Sequence, residues 1–243
     1  MATMQQLKSI FAPILAQNPD LVLHRRWLFK PPIRNAIIGI FIDGKSDPAA
    51  PKFSLSILPL SRAGGPILLG YNLPLYIERV IGSPKPQKPF LATMPSWFLY
   101  DMFAPEFAPH LIENFNAKAR PFIDAHQSWE EILDWVGDPR WIEWLLKSRE
   151  PTEGWCAMMA GDFARAASIL LKYVVRMEAH FAEAPNPRGR PMPSHLVVCR
   201  ALAETLATED RDRIVAHLRG MEAATIGYYK LQKYWQPTPF PFE

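Results

Sequence analysis

The sequence predicts an α+β fold: an N-terminal helix and an antiparallel sheet, followed by a C-terminal antiparallel helical bundle. Three observations carry this. The first seventy or so residues hold short apolar or alternating runs, split by Pro31-Pro32, Asp43-Gly44 and Gly64-Gly65-Pro66. Those links leave no room for crossover helices, so the strands pair antiparallel. From about residue 105 onward the apolar residues recur every three or four positions, as on a helix face. Strands first and helices second is the order of an α+β chain. With 243 residues, 49% of them hydrophobic, the chain can bury a substantial core. The expected division is residues 1–100 for the helix and sheet and 101–243 for a helical region packed on it, in one body.

The first helix is expected at about 3–17, with Leu7, Ile10, Phe11, Ile14 and Leu15 on one face and Asn18-Pro19 ending it. His24 to Lys30 alternates, Arg25, Trp27 and Phe29 against Arg26 and Leu28, and reads as a strand. Ala36 to Ile42 is apolar throughout, which suits a central strand covered on both faces. Phe53, Leu55 and Ile57 alternate with Ser54 and Ser56, one face core and the other polar. Ile67 to Tyr71 is a fourth strand candidate. Prolines 84, 86, 89 and 95 make 82–95 an extended connector. Trp97 to Tyr100 reads as a short strand or a helix start.

The helical half begins with the stripe Leu111, Ile112, Phe115, Ala119 and Phe122, which Pro121 should bend or end. Ser128 and Glu131 form a capping box ahead of Trp129, Ile132, Leu133 and Val136. Asp138-Pro139 opens a helix bearing Trp141, Ile142, Leu145 and Leu146. Thr152 begins another, broken at Gly161-Asp162, before Phe163 to Phe181 with Ala166, Ile169, Leu170, Tyr173, Val174 and Met177 inward. A Pro-rich basic loop at 185–193 carries Arg188 and Arg190. Ser194 then caps a helix with Val198, Ala201, Leu202 and Thr205. The last helix opens at Thr208-Glu209-Asp210 and is expected to face inward through Ile214, Leu218, Met221, Thr225, Tyr228 and Trp235.

Composition narrows the function classes. The net charge of +3 is spread among nearly as many acids, unlike the concentrated basic face of a nucleic-acid binder, so nucleic acid is not expected as a partner. Cys156 and Cys199 are too few for a disulfide framework, which points to a reducing compartment. Residues 1–20 lack the charged start and unbroken apolar run of a secretory signal. No stretch reaches the ~18 apolar residues of a membrane span. A cytoplasmic location is expected, away from membranes.

Gly39-Ile40-Phe41-Ile42-Asp43-Gly44-Lys45-Ser46 has the spacing of a phosphate-binding loop. Ile40, Phe41 and Ile42 favour extended backbone, and Asp47-Pro48 cannot start the helix that must follow. A strand running into a polar loop is the expected structure, with Trp97 to Asp101 no true partner motif. His195 and Cys199, four apart, could give two metal ligands, as could His110 with Glu113, but neither pair has companions. No G-x-S-x-G elbow is present. No cofactor, no metal and no catalytic residue is assigned. Trp129, Trp135, Trp141 and Trp144 at helical spacing are expected in the core. Trp155 to Ala166 has the form of one helix-turn-helix unit of tetratricopeptide type, an ordinary helix pair when single. Lys85 to Pro89 reads as a spacer.

The order of helix, Arg-rich strand, apolar strand ending in Asp43-Gly44-Lys45-Ser46-Asp47, and Phe53-x-Leu55-x-Ile57 resembles a group of uncharacterised bacterial α+β proteins, some of toxin-immunity type. The resemblance covers about residues 5–60. It implies a bacterial cytoplasmic protein that binds a dedicated partner. Many toxin-neutralising proteins are acidic and this chain is basic, which implies an acidic target. The expectation is therefore a non-catalytic protein-binding module, immunity-like, that neutralises a partner protein. Arg25, Arg26, Lys30, Arg34, Asp43 and Lys45 are its expected contact residues. The alternative is an enzyme whose acid–base groups, drawn from Asp101, His110, His126 and Glu178, meet in a cleft between sheet and helices.

Overall fold

The computed structural model describes residues 3–43, 52–61, 73–74, 107–137, 149–183 and 194–243. The expected strand at 67–71, the connector at 82–95, the segment at 97–101, the helix from Asp138-Pro139 and the loop at 185–193 lie outside them. The fold is α+β, with a helix first, an antiparallel sheet next and packed helices after it. No helix among the described residues is long and apolar enough to cross a membrane.

Helix α1 (Met4–Gln17) opens with a capping box: the Gln6 amide donates to Thr3 Oγ1 at 3.2 Å, and the Thr3 amide donates to Gln6 Oε1 at 2.8 Å. It buries Leu7, Phe11 and Ile14. Pro13 lies on the exposed side of the helix, where the carbonyl it leaves without a donor can turn to water.

The sheet runs in chain order β1 (Val22–His24), β2 (Trp27–Phe29), β3 (Ala36–Asp43), β4 (Lys52–Pro59) and β5 (Leu73–Pro74). The expected single strand from His24 to Lys30 is instead a hairpin, with His24 opposite Trp27 and a turn at Arg25 and Arg26. Alternation alone could not show this, because Arg25 adopts a left-handed backbone (φ 54°) that its residue type does not advertise. β3 is central and buried along most of its length, as its composition requires. Ser56 of β4 is fully buried, so the side expected to be polar is covered there. Phe53 of β4 meets Phe11 of α1 edge to face at 5.6 Å between ring centroids, and Phe107 at a tilt at 5.9 Å.

Helix α2 (Phe107–Asn114) continues through a π turn (Phe115–Ala119) into α3 (Arg120–Ala125). Pro121 was expected to bend or end this helix. The chain crosses it by widening the turn, with the Arg120 amide reaching back five residues to the Phe115 carbonyl. Arg120 then clamps two acids, donating to both oxygens of Asp20 (2.8 and 3.0 Å) and both of Asp124 (2.6 and 3.1 Å). These hydrogen bonds hold both carboxyls below the usual aspartate range. A lowered carboxyl stabilises the fold above the unfolded value near 3.8 and loses that contribution on acidification. The cluster is partly exposed, so Arg120→Ala is expected to cost about 1 kcal/mol near neutral pH, and less in high salt. Urea denaturation at two salt concentrations checks both statements.

The remaining helices are α4 (Trp129–Gly137), α5 (Arg149–Met159), α6 (Phe163–Glu183), α7 (Ser194–Leu206) and α8 (Arg211–Tyr229). The Ser128 and Glu131 capping box is present at 2.8 and 3.2 Å. Gly161 (φ 79°) turns the chain between α5 and α6, and Asp162 accepts from the Arg165 amide. Asp210 caps α8 through the Arg213 amide.

The chain divides into two compact units: Met1–Pro31 with Ile37–Ile57 and Leu69–Gln127, and Pro32–Ala36 with Leu58–Leu68 and Ser128–Glu243.

Candidate functional site

The expected contact residues have different surroundings. Arg25 is exposed at the hairpin turn. The Arg26 guanidinium donates to the Ile42 carbonyl at 3.3 Å and ties the hairpin turn to β3. Lys30 is committed to an ion cluster, 3.0 Å from Asp124 and 3.6 Å from Asp20. These belong to the first unit, and exposed Arg34 to the second. Asp43 ends β3, but its side chain, like the whole of Lys45, lies outside the described residues.

The phosphate-loop spacing resolves as strand from Gly39 to Asp43. Gly39 faces Phe29 across the sheet. A Cβ there would stand 2.0 Å from the Leu28 carbonyl oxygen, so the glycine serves the approach of two strands. Gly44, Lys45 and Ser46 lie outside the described residues. His195 is half-buried, its Nε2 3.3 Å from the Tyr173 hydroxyl, and Cys199 is buried in α7. Burial, with Glu153 nearby, pushes the Cys156 thiol up to about 11, away from thiolate chemistry at neutral pH. Among the described residues no group of three or more His, Cys, Asp or Glu could hold a metal ion. Of the acid–base candidates, His126 has Nδ1 2.7 Å from the Phe122 carbonyl, and Glu178 is paired with Arg200 at 2.6 Å. Asp101 and the side chain of His110 lie outside the described residues.

The most unusual ionisable group was not anticipated. Glu222 is fully buried on α8, in line with Ile214, Leu218 and Ile226. Arg219, one turn earlier, donates to Glu222 Oε2 at 2.7 Å, while Oε1 has no hydrogen-bond partner. The same guanidinium donates to the Thr238 carbonyl at 2.7 Å, lies 3.4 Å from Glu243 and covers the Phe240 ring at 4.2 Å. Burial drives the Glu222 carboxyl up to about 7, against the pull of Arg219 and with a further push from Glu243. The sequence signal was a charge at one position of the i, i+4 series 214, 218, 222, 226. The expected face ran instead through Met221, Thr225 and Tyr228, and Tyr228 is 61% exposed.

A second feature lies on α6. Ala164, Ser168, Leu171, Val175 and Ala182 are exposed and recur at spacings that keep them on one face. They span about 27 Å. The row contains one ion, Glu178, already paired with Arg200. Leu171 is 43% and Val175 56% exposed, where a solvated helix face would carry charge. No family model, no curated protein and no solved structure matches this chain.

Proposed function

We propose that this protein is a non-catalytic protein-binding module of a bacterial cytoplasm, immunity-like in that it neutralises a partner protein. The observation that carries the reading is the exposed row on α6, whose one ion, Glu178, is paired with Arg200. A row of this length, with Leu171 and Val175 as its large apolar anchors, suits the side of a partner helix or strand. Exposed Arg25 and Arg34 suit an acidic partner by steering its approach. Arg25 also keeps a left-handed backbone where hairpin turns favour glycine.

The test is a pull-down of the tagged protein from its native host, with mass spectrometry of what co-elutes near one-to-one. Leu171→Asp combined with Val175→Asp is expected to cost about 1 kcal/mol, from helix propensity and like charge four residues apart, and to leave the protein folded, because neither side chain is in the core. The same pair should remove the partner. Arg25→Glu with Arg34→Glu should slow association and reduce its salt dependence. A stoichiometric partner unaffected by the α6 pair, or the absence of any partner, overturns the reading.

A further inference from the structure

Beyond the α6 surface, the segment after α8 has the construction of a strap. Lys230 closes α8 in a left-handed conformation (φ 55°) and a short 3-10 turn (Gln232–Tyr234) follows. The chain is then pinned at several points. The Ile33 amide donates to the Tyr234 carbonyl at 2.7 Å, and the Gln236 amide to the Ile33 carbonyl at 2.8 Å. Thr238 Oγ1 donates to Asn35 Oδ1 at 2.6 Å, and Trp129 Nε1 to the Pro239 carbonyl at 3.3 Å. Arg211 donates to the Phe242 carbonyl at 3.1 Å. These ties involve no ionisable acid.

Arg219 adds a tie of another kind, because one guanidinium holds both the strap and Glu222. Among the described residues the charged groups set against Glu222 are Arg219 on its own helix and Glu243 on the strap. Asn35 and Thr238 beside them are neutral. With Glu222 protonated, the cluster holds one cation and one anion. With Glu222 ionised it holds two anions and one cation, and a charged oxygen, Oε1, is buried without a donor. Two changes relieve that state. Arg219 can turn fully to Glu222 and leave Thr238 and Glu243, or the strap can lift and admit water to Oε1. Both loosen the same segment.

We propose that residues Gln236–Glu243 form a pH-sensitive strap, closed over α8 while Glu222 holds its proton and locally loosened when that carboxyl is ionised. The elevated titration range of Glu222 puts the change near neutral pH, where a cell could use it. The neutral ties at Ile33 and Asn35 keep the movement local.

Hydrogen exchange followed by mass spectrometry on a peptide covering 233–243, which reports the hydrogen-bonded Gln236 and Glu243 amides, tests this, comparing the unaltered chain with Glu222→Gln at the same pH so that intrinsic rates cancel. At about pH 8 the unaltered strap should exchange roughly tenfold faster than in the variant, and at about pH 5.5 the two should agree. Glu222→Met, of similar length and without a proton to lose, should match Glu222→Gln. A ratio that does not vary with pH overturns the proposal. If neither variant folds, the unaltered chain decides. Strap exchange divided by that of α5 should rise through neutral pH, and a flat profile overturns the strap.

Discussion

Gly39→Ala is expected to cost about 3 kcal/mol or more and to leave a large share of the chain unfolded or insoluble. The new methyl would stand 2.0 Å from the Leu28 carbonyl oxygen, with Phe29 Cα at 3.1 Å. Both obstacles are backbone atoms of β2, so no side chain can rotate away. The strands would have to separate where Leu28 pairs with Ile40 and Phe29 with Gly39. Overpacking in cores commonly costs about 1–3 kcal/mol even where side chains can adjust, a large part of the ~5–15 kcal/mol that holds a domain together. Gly220→Ala is the internal control. Nothing lies within 4 Å of the Cβ it would add inside α8, so stability should rise by about 0.5–1 kcal/mol from helix propensity alone. Urea midpoints for the two variants should therefore move in opposite directions. A Gly39→Ala protein as stable as the parent would mean that β2 and β3 are not as close as described.

Glu222→Gln carries the second large effect, and its sign depends on pH. Burial pushes the folded carboxyl up to about 7, against an ordinary glutamate value near 4.5. Between these values the folded chain holds a proton that the unfolded chain has released. The stability of the parent therefore falls as pH rises through that window, and by about pH 8 the loss is complete, on the order of 3 kcal/mol. Glutamine removes the ionisation and keeps an oxygen for Arg219. From about pH 4.5 to about pH 8 the stability difference should shift by roughly 3 kcal/mol in favour of the variant. Thermal or urea denaturation across that range measures it. A difference that stays constant with pH would show that Glu222 is not the titrating group.

Much of the architecture could be read from residue order. The strand from Ala36 was evident because β-branched and aromatic residues fill both faces, and the Ser128 and Glu131 box announced α4. What escaped the reading depended on geometry that side-chain type does not encode. The run His24 to Lys30 alternates whether or not it turns, and the left-handed Arg25 that makes the hairpin has no signature in a residue other than glycine or asparagine. Pro121 reads as a helix end, yet one widened turn carries the helix across it. The candidate sites were less legible. Lys30 looked available because its partners, Asp20 and Asp124, lie ten and ninety-four positions away. A 3.6-residue period allows neighbouring stripes on α8, and the stripe through Met221 and Tyr228 is free of acids, so nothing in the sequence marks Glu222 as the buried position. The α6 row has no signature of its own, because an apolar residue on the outward face of a helix is the same residue type as one on the inward face. An exposed apolar row is visible only once the buried one has been placed.

The division of the chain has a consequence for how the protein is made. Two early pieces, Pro32–Ala36 and Leu58–Leu68, belong to the unit that is otherwise built from Ser128–Glu243. Leu60 receives its hydrogen bond from Thr225, 165 positions later, and Asn35 from Thr238, 203 positions later. On a ribosome these threads emerge long before the groups that satisfy them, so the second unit cannot close until synthesis is nearly finished. A gene cut between residues 127 and 128 would strand two threads of the second unit on the wrong fragment. The halves are expected to recover native structure only when both are present together.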